Sequence, residues 1–553
     1  MKAIVSLLLI LISLNLLQAQ DRLSGRSFAT RSEVLAQHGM AATNHPLATQ
    51  IAIEILKNGG SAVDAAIAAN AFLGFADPGN NGMGGDLFAI VWDEKTQKLY
   101  GLNASGKSPA NLSLEKFKGE VDAGKSYKTG PLSVTTPGAV DGWFELHKKF
   151  GRLKFKELLQ PAINYAREGV PVSSEVSDNF ASFNLGPGNQ VFEAVYFTSD
   201  GRLPRKGEIF KNPDLAKTLD LIANQGRDGF YKGKVARTIE DHLKAKGGYL
   251  TKEDLANNKP QWVDPVSINY RGYDIWEMPP NGQGMAALQI LNILKGFDLS
   301  SMGYGSYEHI HTFLEAKKLA YADMKKYYGD PNFGNIPLSS LLSDEYAAER
   351  RKLIDPNKAG NFEAGLTSGD HTIYLTVADR DGNMISLIQS NSALFGSREV
   401  PDGLGFVLQN RGAGFVLEEG HINNYAPGKR PFHTIIPAFV TKNNKPFMSF
   451  GLMGGDMQTQ GHAQIIMNII DFNMNLQEAG DAPRIYHREE SLKSGGTYLE
   501  SGFDYETIRD LIDRGHTIRM DKGIFGGYQA IMFKNGVYYG ASESRKDGQA
   551  AGY

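Results

Sequence analysis

The stretch that most limits how this chain can fold runs from Gly369 to Ser390. Ile373, Leu375 and Val377 alternate with Thr372, Tyr374 and Thr376. Asp379-Arg380-Asp381-Gly382-Asn383 then supplies turn residues, and Met384 to Ser390 returns as a second strand. Alternation of period two on both sides of a short polar turn predicts an antiparallel hairpin. A calcium-loop reading of the turn aspartates lacks the later bidentate glutamate. The hairpin opens on a threonine and is fed by Asp355 to Asp370, a Gly-, Asn- and charge-rich segment predicted to be exposed and mobile. A threonine at the start of a buried strand can cut the peptide bond before it and then act as an N-terminal nucleophile, its own α-amine serving as base. Strand-initial threonines are also simply good β-formers, so other features must carry that reading.

The first twenty residues hold one positive charge, Lys2, then the apolar run Ala3 to Leu17 and a small-residue site at Leu17-Gln18-Ala19. This pattern predicts a secretory signal over residues 1–19, too short for a comfortable bilayer span. No later run reaches membrane-spanning length, so an exported protein, periplasmic or extracellular, with no retained membrane anchor is expected. The chain has no cysteine, which excludes disulfide staples and thiolate chemistry. Its 58 basic and 61 acidic residues are well mixed and leave no electrostatic footprint for nucleic acid, which points to a small-molecule partner. Glycine, 62 of 553 residues, clusters at particular turns, where backbone would approach something closely.

Pro46 to Lys57 places Leu47, Ile51 and Ile55 at helical spacing, and Ser61 opens a second helix, Ala62 to Phe72, with Asp64 at the capping-box position. The glycine-rich loop Asp77 to Asp86 leads into a strand, Leu87 to Trp92, so mixed α/β packing is expected. The middle of the chain reads as mostly helical: Phe155 to Glu168, Pro213 to Asn224, Val235 to Lys246, Met285 to Leu294 and Tyr307 to Lys326. Glu308, His309 and His311 resemble a metal cluster, but residues two apart on a helix face different ways and zinc helices use i, i+4. No metal and no cofactor is expected. Phe450 to Asp456, containing Gly454 and Gly455, precedes the apolar helix Gln460 to Phe472, and such glycines can aim N–H groups at developing negative charge on oxygen. No composition shift marks a linker, so one large domain is expected.

Several separated motifs together resemble the γ-glutamyltransferase family, also called glutathione hydrolases, within the N-terminal-nucleophile hydrolases. They are Ala41 to Ala48, Gly59 to Ala66, Gly82-Met83-Gly84-Gly85-Asp86, Val134 to Gly138, Gly428-Lys429-Arg430-Pro431, Gly454-Gly455 and Ala541 to Tyr553. The resemblance implies an α+β fold, a four-layer αββα sandwich made from a self-cleaving precursor. It aligns the catalytic threonine with Thr372 and the scissile bond with His371–Thr372. That gives a large subunit, 20–371, and a small subunit, 372–553, which stay associated as one intertwined domain. It also implies that Gly454 and Gly455 hold the oxyanion, that Ser390 stands where the family has a second threonine, and that Ser392, beside Asn391, matches a substrate-binding asparagine. The substrate it implies is a γ-glutamyl or related acyl amide such as glutathione, with water or an amine accepting the acyl group.

The amino-acid clamp departs from the family pattern. The family's ammonium-binding aspartate falls on Gly414, a preceding glutamine on Arg411, its carboxylate-binding arginine on Ser105 with Lys107 close by, and its paired serines on His433 and Thr434. Losing a buried charge partner costs several kcal/mol, so an acylase of the same fold is an alternative. Arg411 and Lys107 would then hold the terminal carboxylate of a glutaryl or cephalosporin-acylase-like donor. A non-catalytic exported binding protein is the alternative from another class. A serine hydrolase elbow, Gly-x-Ser-x-Gly, is not present.

Overall fold

The computed structural model describes residues 26–186, 189–362, 371–489 and 492–553. The predicted signal segment, residues 363–370 of the feed to the hairpin and the His371 side chain lie outside the described residues. Two seven-stranded sheets form the centre. One runs in the order Gln549–Gly552, Met40–Thr43, His371–Ala378, Met384–Ser392, Asp86–Asp93, Lys98–Ala104, Gln261–Val263. The other runs Val34–Ala36, Val537–Ser542, Gly527–Lys534, Lys445–Met453, Ala438–Lys442, Tyr273–Glu277, Val266–Tyr270.

Strand parity explains the layering. Along Asp86–Asp93, Leu87, Ala89 and Val91 enter a core shared with outer helices, whereas Phe88, Ile90 and Trp92 enter a second core between the sheets. Along the hairpin strand, Ile373, Leu375 and Val377 face the same helices, while Tyr374 and Ala378 face inward. Helices Pro46–Lys57, Ala62–Ala76 and Phe155–Glu168 cover the first sheet, and Gly284–Leu294, Tyr307–Tyr327 and Met457–Ile470 cover the second. A sheet buried on both faces need not show polar alternation, which is why Asp86–Asp93 reads as a near-continuous apolar run from Leu87 to Trp92. The result is a four-layer αββα sandwich. No helix among the described residues is long and apolar enough to cross a membrane.

The helices fall where the periodicity puts them, with Pro46–Lys57 and Phe155–Glu168 matching at both ends. The Ser61–Asp64 capping box forms with both of its hydrogen bonds. The hairpin pairs Ala378 with Met384, and the Asp379 carboxylate closes the turn by accepting from the Asp381 and Asn383 N–H groups. The middle of the chain is less purely helical than its periodicity suggests, since Gln261–Val263, Val266–Tyr270 and Tyr273–Glu277 are strands. Each has five residues or fewer, about the minimum over which alternation can be told from chance.

Candidate active site

Thr372 lies at the start of a central strand and is 2 % exposed. Its hydroxyl donates to Ser390 Oγ at 3.3 Å, and Ser390 Oγ also accepts the Ser392 N–H at 2.8 Å. The register shifts between His371 and Ile373, so that Thr372 alone stands opposite Ser390 and Asn391, a bulge in the partner strand. Thr372, Tyr374 and Thr376 share the inward face, where Thr376 Oγ1 meets Ser449 Oγ of the other sheet at 2.6 Å. Gly451 lies so close to the Tyr374 ring that a Cβ there would come within 2.4 Å of it. Two residues forward on one strand thus match two residues back on the other.

Gly454 and Gly455 have φ of 112° and 52°, backbone that favours glycine. The Gly454 carbonyl accepts the Met457 N–H at 2.9 Å. Among the described residues, neither glycine gives its own N–H to a protein acceptor. Two unspent donors at the start of an α-helix form a preorganised site for an oxyanion.

A buried charge cluster borders the threonine. Asp86 pairs in register with Ser390, and its side chain shares that inward face. Its Oδ1 accepts the N–H groups of Gly106 and Gly138 at 3.1 and 3.0 Å, and its Oδ2 lies 3.1 Å from His433 Nε2. Burial pushes the Asp86 carboxyl up to about 7, opposed by the Arg411 guanidinium and by those two backbone donors. His433 accepts the Ile435 N–H on Nδ1, so Nε2 carries its proton, and burial next to Arg411 holds it well below the usual histidine range. Arg411 is 2 % exposed, and burial brings its guanidinium down to about 10. Its Nη1 donates to Thr434 Oγ1 at 2.8 Å, while Nε and Nη2 have no partner among the described residues. Such donors ordinarily cost free energy unless a ligand or water satisfies them.

The other predicted positions divide. Ser392 sits beside the bulge with φ of 79°, in register with His371. Asn391 points away from this face, because parity turns it to the loop Asp77–Asn81, where Nδ2 donates to the Pro78 and Asn81 carbonyls. It braces that loop rather than joining Thr372. Lys107 is exposed, so it does not complete the buried cluster. Ser105 is buried, but its N–H and hydroxyl both serve Asn103 Oδ1 and its carbonyl takes Arg430 Nε. Gly414 is held at its carbonyl by Asn423 Nδ2. In the Lys429-Arg430-Pro431 motif, Lys429 Nζ binds the Ile422 and Asn424 carbonyls and Arg430 ties Ser105 to Lys259, so the motif is a brace.

Sequence reading overlooked Asp86 and Gln283. Parity alone could have put Asp86 next to Ser390 once the two strands were paired. It also overlooked that His311 and Glu315, at i, i+4, meet His516. The two histidine nitrogens are a hydrogen-bonding 2.8 Å apart, His311 Nε2 binds the Asp355 carbonyl, and the Glu315 oxygens take Lys318 Nζ and the Gly360 N–H. The cluster reads as a hydrogen-bonded tie on the Asp355–Gly360 segment.

The chain is 35% identical over 531 residues to the glutathione hydrolase-like YwrD proenzyme of Bacillus subtilis, covering 94% of this chain and 99% of that one. It is 36% identical over 525 residues to the acylase ACY 1 proenzyme of a Pseudomonas species, covering 92% of each. Among solved structures, cephalosporin acylase from Bacillus halodurans superposes with a TM-score of 0.88 at 43% identity, over 95% of this chain and 97% of that one. The family profile described as gamma-glutamyltranspeptidase matches residues 48–553. With this span matched and a sandwich of this layering, the chain belongs to the gamma-glutamyltranspeptidase family, a hydrolase group of the N-terminal-nucleophile type.

Proposed function

We propose that this protein is a self-processing amidohydrolase and acyltransferase of glutathione-hydrolase type, with Thr372 as its nucleophile. In the precursor the Thr372 hydroxyl attacks the His371 carbonyl, the C–N bond breaks as an ester forms, and water releases residues up to 371. The freed α-amine, with an ordinary pKa of about 7.7 to 8.0, accepts the hydroxyl proton when Thr372 attacks a γ-glutamyl amide. The oxyanion rests on the Gly454 and Gly455 N–H groups, the amine leaves with a proton, and water or another amine takes the acyl group. Ser390 orients the nucleophile. The large and small subunits remain paired through the shared sheets, and residues 1–19 direct export.

The observation that carries this reading is the buried Thr372 hydroxyl on Ser390 Oγ; the Gly454–Gly455 turn, whose donors are unspent, is the oxyanion site this reading assigns. Intact mass and γ-glutamyl anilide hydrolysis of wild type and Thr372→Ala test it. Wild type should split at 371/372 and turn over, while the variant stays one inactive chain. A wild-type chain that hydrolyses the anilide without splitting would refute the proposal.

A second reading concerns the acyl donor. Arg411 brings two unpartnered donors and a positive charge into the buried cluster, and Gly414 supplies no anion for an ammonium. Both features favour an acyl chain ending in a carboxylate and lacking an α-ammonium, such as glutaryl.

A further inference from the structure

We infer that Gln283 is a positioning residue that sets the Gly454–Gly455 turn for the negative oxygen formed at Thr372; this rests on the proposed threonine chemistry. Gln283 precedes the helix Gly284–Leu294, is fully buried, and donates its backbone N–H to the His433 carbonyl at 3.0 Å. Its side-chain amide nitrogen has two hydrogens, and both are used: one reaches the Thr434 carbonyl at 2.6 Å and the other the Gly455 carbonyl at 2.9 Å. Both neighbours are carbonyl oxygens, so the nitrogen rather than the oxygen of this amide must face them.

The consequence follows from peptide planarity. The Met457 N–H holds the Gly454 carbonyl, and because that carbonyl and the Gly455 N–H point oppositely in one plane, it fixes the direction of the Gly455 N–H. Gln283 holds the next plane through the Gly455 carbonyl, which also accepts the Gln458 N–H at 3.2 Å. A glycine between two pinned planes can no longer swing its donor away, although its φ of 52° costs glycine little and would otherwise be one choice among many. The same amide ties this turn to Thr434, whose hydroxyl carries Arg411. The position of the oxyanion donors is thereby fixed against the acyl-binding side of the site. Misplacing catalytic groups by about 1 Å costs on the order of 10²-fold.

Gln283→Leu removes both donors at nearly constant volume. On the anilide substrate that wild type cleaves best, we expect kcat to fall about 10- to 100-fold with KM within about twofold, since only the transition state carries the oxyanion. Self-cleavage, which forms an oxyanion at the same place, should slow in a gel time course. Gln283→Glu provides the second readout. Its carboxyl can donate only when protonated, so its activity relative to wild type should rise as pH falls from about 8 to 6. Loss of KM with kcat kept, or wild-type kcat in both variants, would overturn the inference. If Gln283→Leu does not accumulate as folded protein, the pH trend of Gln283→Glu decides alone, and a flat ratio refutes it. Should wild type itself remain uncleaved and inactive, the threonine chemistry fails instead, so the two failures are distinguishable.

Discussion

Arg411→Met should separate acyl recognition from catalysis. In the free protein, Arg411 is a buried cation with two donors unsatisfied and one on Thr434. Removing it relieves about 1–3 kcal/mol of unmet hydrogen bonding per donor but deprives Asp86 of its opposing charge. These effects have opposite signs, and Asp86, already pushed up to about 7, can hold its proton in the variant. The urea midpoint should therefore shift by the equivalent of about 2 kcal/mol or less. A bound carboxylate has no such compensation. It loses a two-pronged, charge-assisted contact, for which truncation costs about 2–5 kcal/mol, and it is left facing the Asp86 carboxyl. At about 1.4 kcal/mol per tenfold, kcat/KM for glutaryl p-nitroanilide should drop about 30- to 4,000-fold. The butyryl analogue, of similar length and without the charge, should stay within about threefold. The γ-glutamyl compound, whose carboxylate sits on a branched carbon beside an ammonium, separates the two donor readings in wild type. Equal losses for glutaryl and butyryl anilides would refute the anchor, since they would mark damage to the catalytic frame rather than loss of a charge contact.

Three further outcomes are expected. Ser390→Ala removes the acceptor of the Thr372 hydroxyl and of the Ser392 N–H; kcat should fall about tenfold and stability by about 1 kcal/mol, Ser390→Thr should restore most activity, and an unchanged kcat in the alanine variant would remove Ser390 from the mechanism. Gly454→Ala would place a Cβ 2.9 Å from Gly526 Cα at a φ of 112°; kcat should fall at least about 10²-fold, and a fully active, self-cleaved variant would argue against this turn as the oxyanion site. Asp77, buried on Asn80, is pushed up to about 7 by desolvation. Between about pH 4 and 7 the native state keeps a proton that the unfolded chain has released, so stability falls as pH rises through that window. Asp77→Asn should flatten this slope in urea midpoints taken at about pH 4.5, 6 and 7.5, and an unaltered slope would show that another group causes it.

Most of the fold was legible because its signals are local. Helix faces such as Leu47, Ile51 and Ile55, the Ser61–Asp64 cap and the Asp379 turn each depend on residues within a few positions, and all form as read. The short strands Val266–Tyr270 and Tyr273–Glu277 were not legible, because they are held by pairing with each other and with Ala438–Lys442, a partner far along the chain. The same distinction sorts the site. Thr372 and the glycine pair each carry a local signature, a strand start or a helix approach, whereas Ser390 was reached only through the resemblance. Asn391 was misjudged because adjacency in sequence means opposite faces on a strand, and Lys107 because a cation near a motif need not be buried with it.

Arg411, His433 and Thr434 were reached only through the resemblance, and Asp86 and Gln283 not at all, for a physical reason that also says how to read such chains. Asp86, Gln283, Arg411, His433 and Thr434 converge only because two sheets stack face to face, and no local pattern encodes a stacking offset. One trace of it does survive in the sequence. A sandwich interior should be apolar, yet Thr372, Thr376, Ser386 and Ser390 put hydroxyls on the inward face of one hairpin, and Ser449 answers from the opposite sheet. Buried hydroxyls need partners, so a row of them on one face requires either a matching row across the interface or a water-accessible pocket. Here the partners lie both within the hairpin and across the interface. Thr376 meets Ser449, Tyr374 meets Ser386, and the last pair, Thr372 and Ser390, lies where the row runs out, with Ser390 in register with Asp86. The offset between the sheets, and with it the place where catalysis is proposed, is therefore fixed by polar residues that a purely hydrophobic reading of the strands passes over.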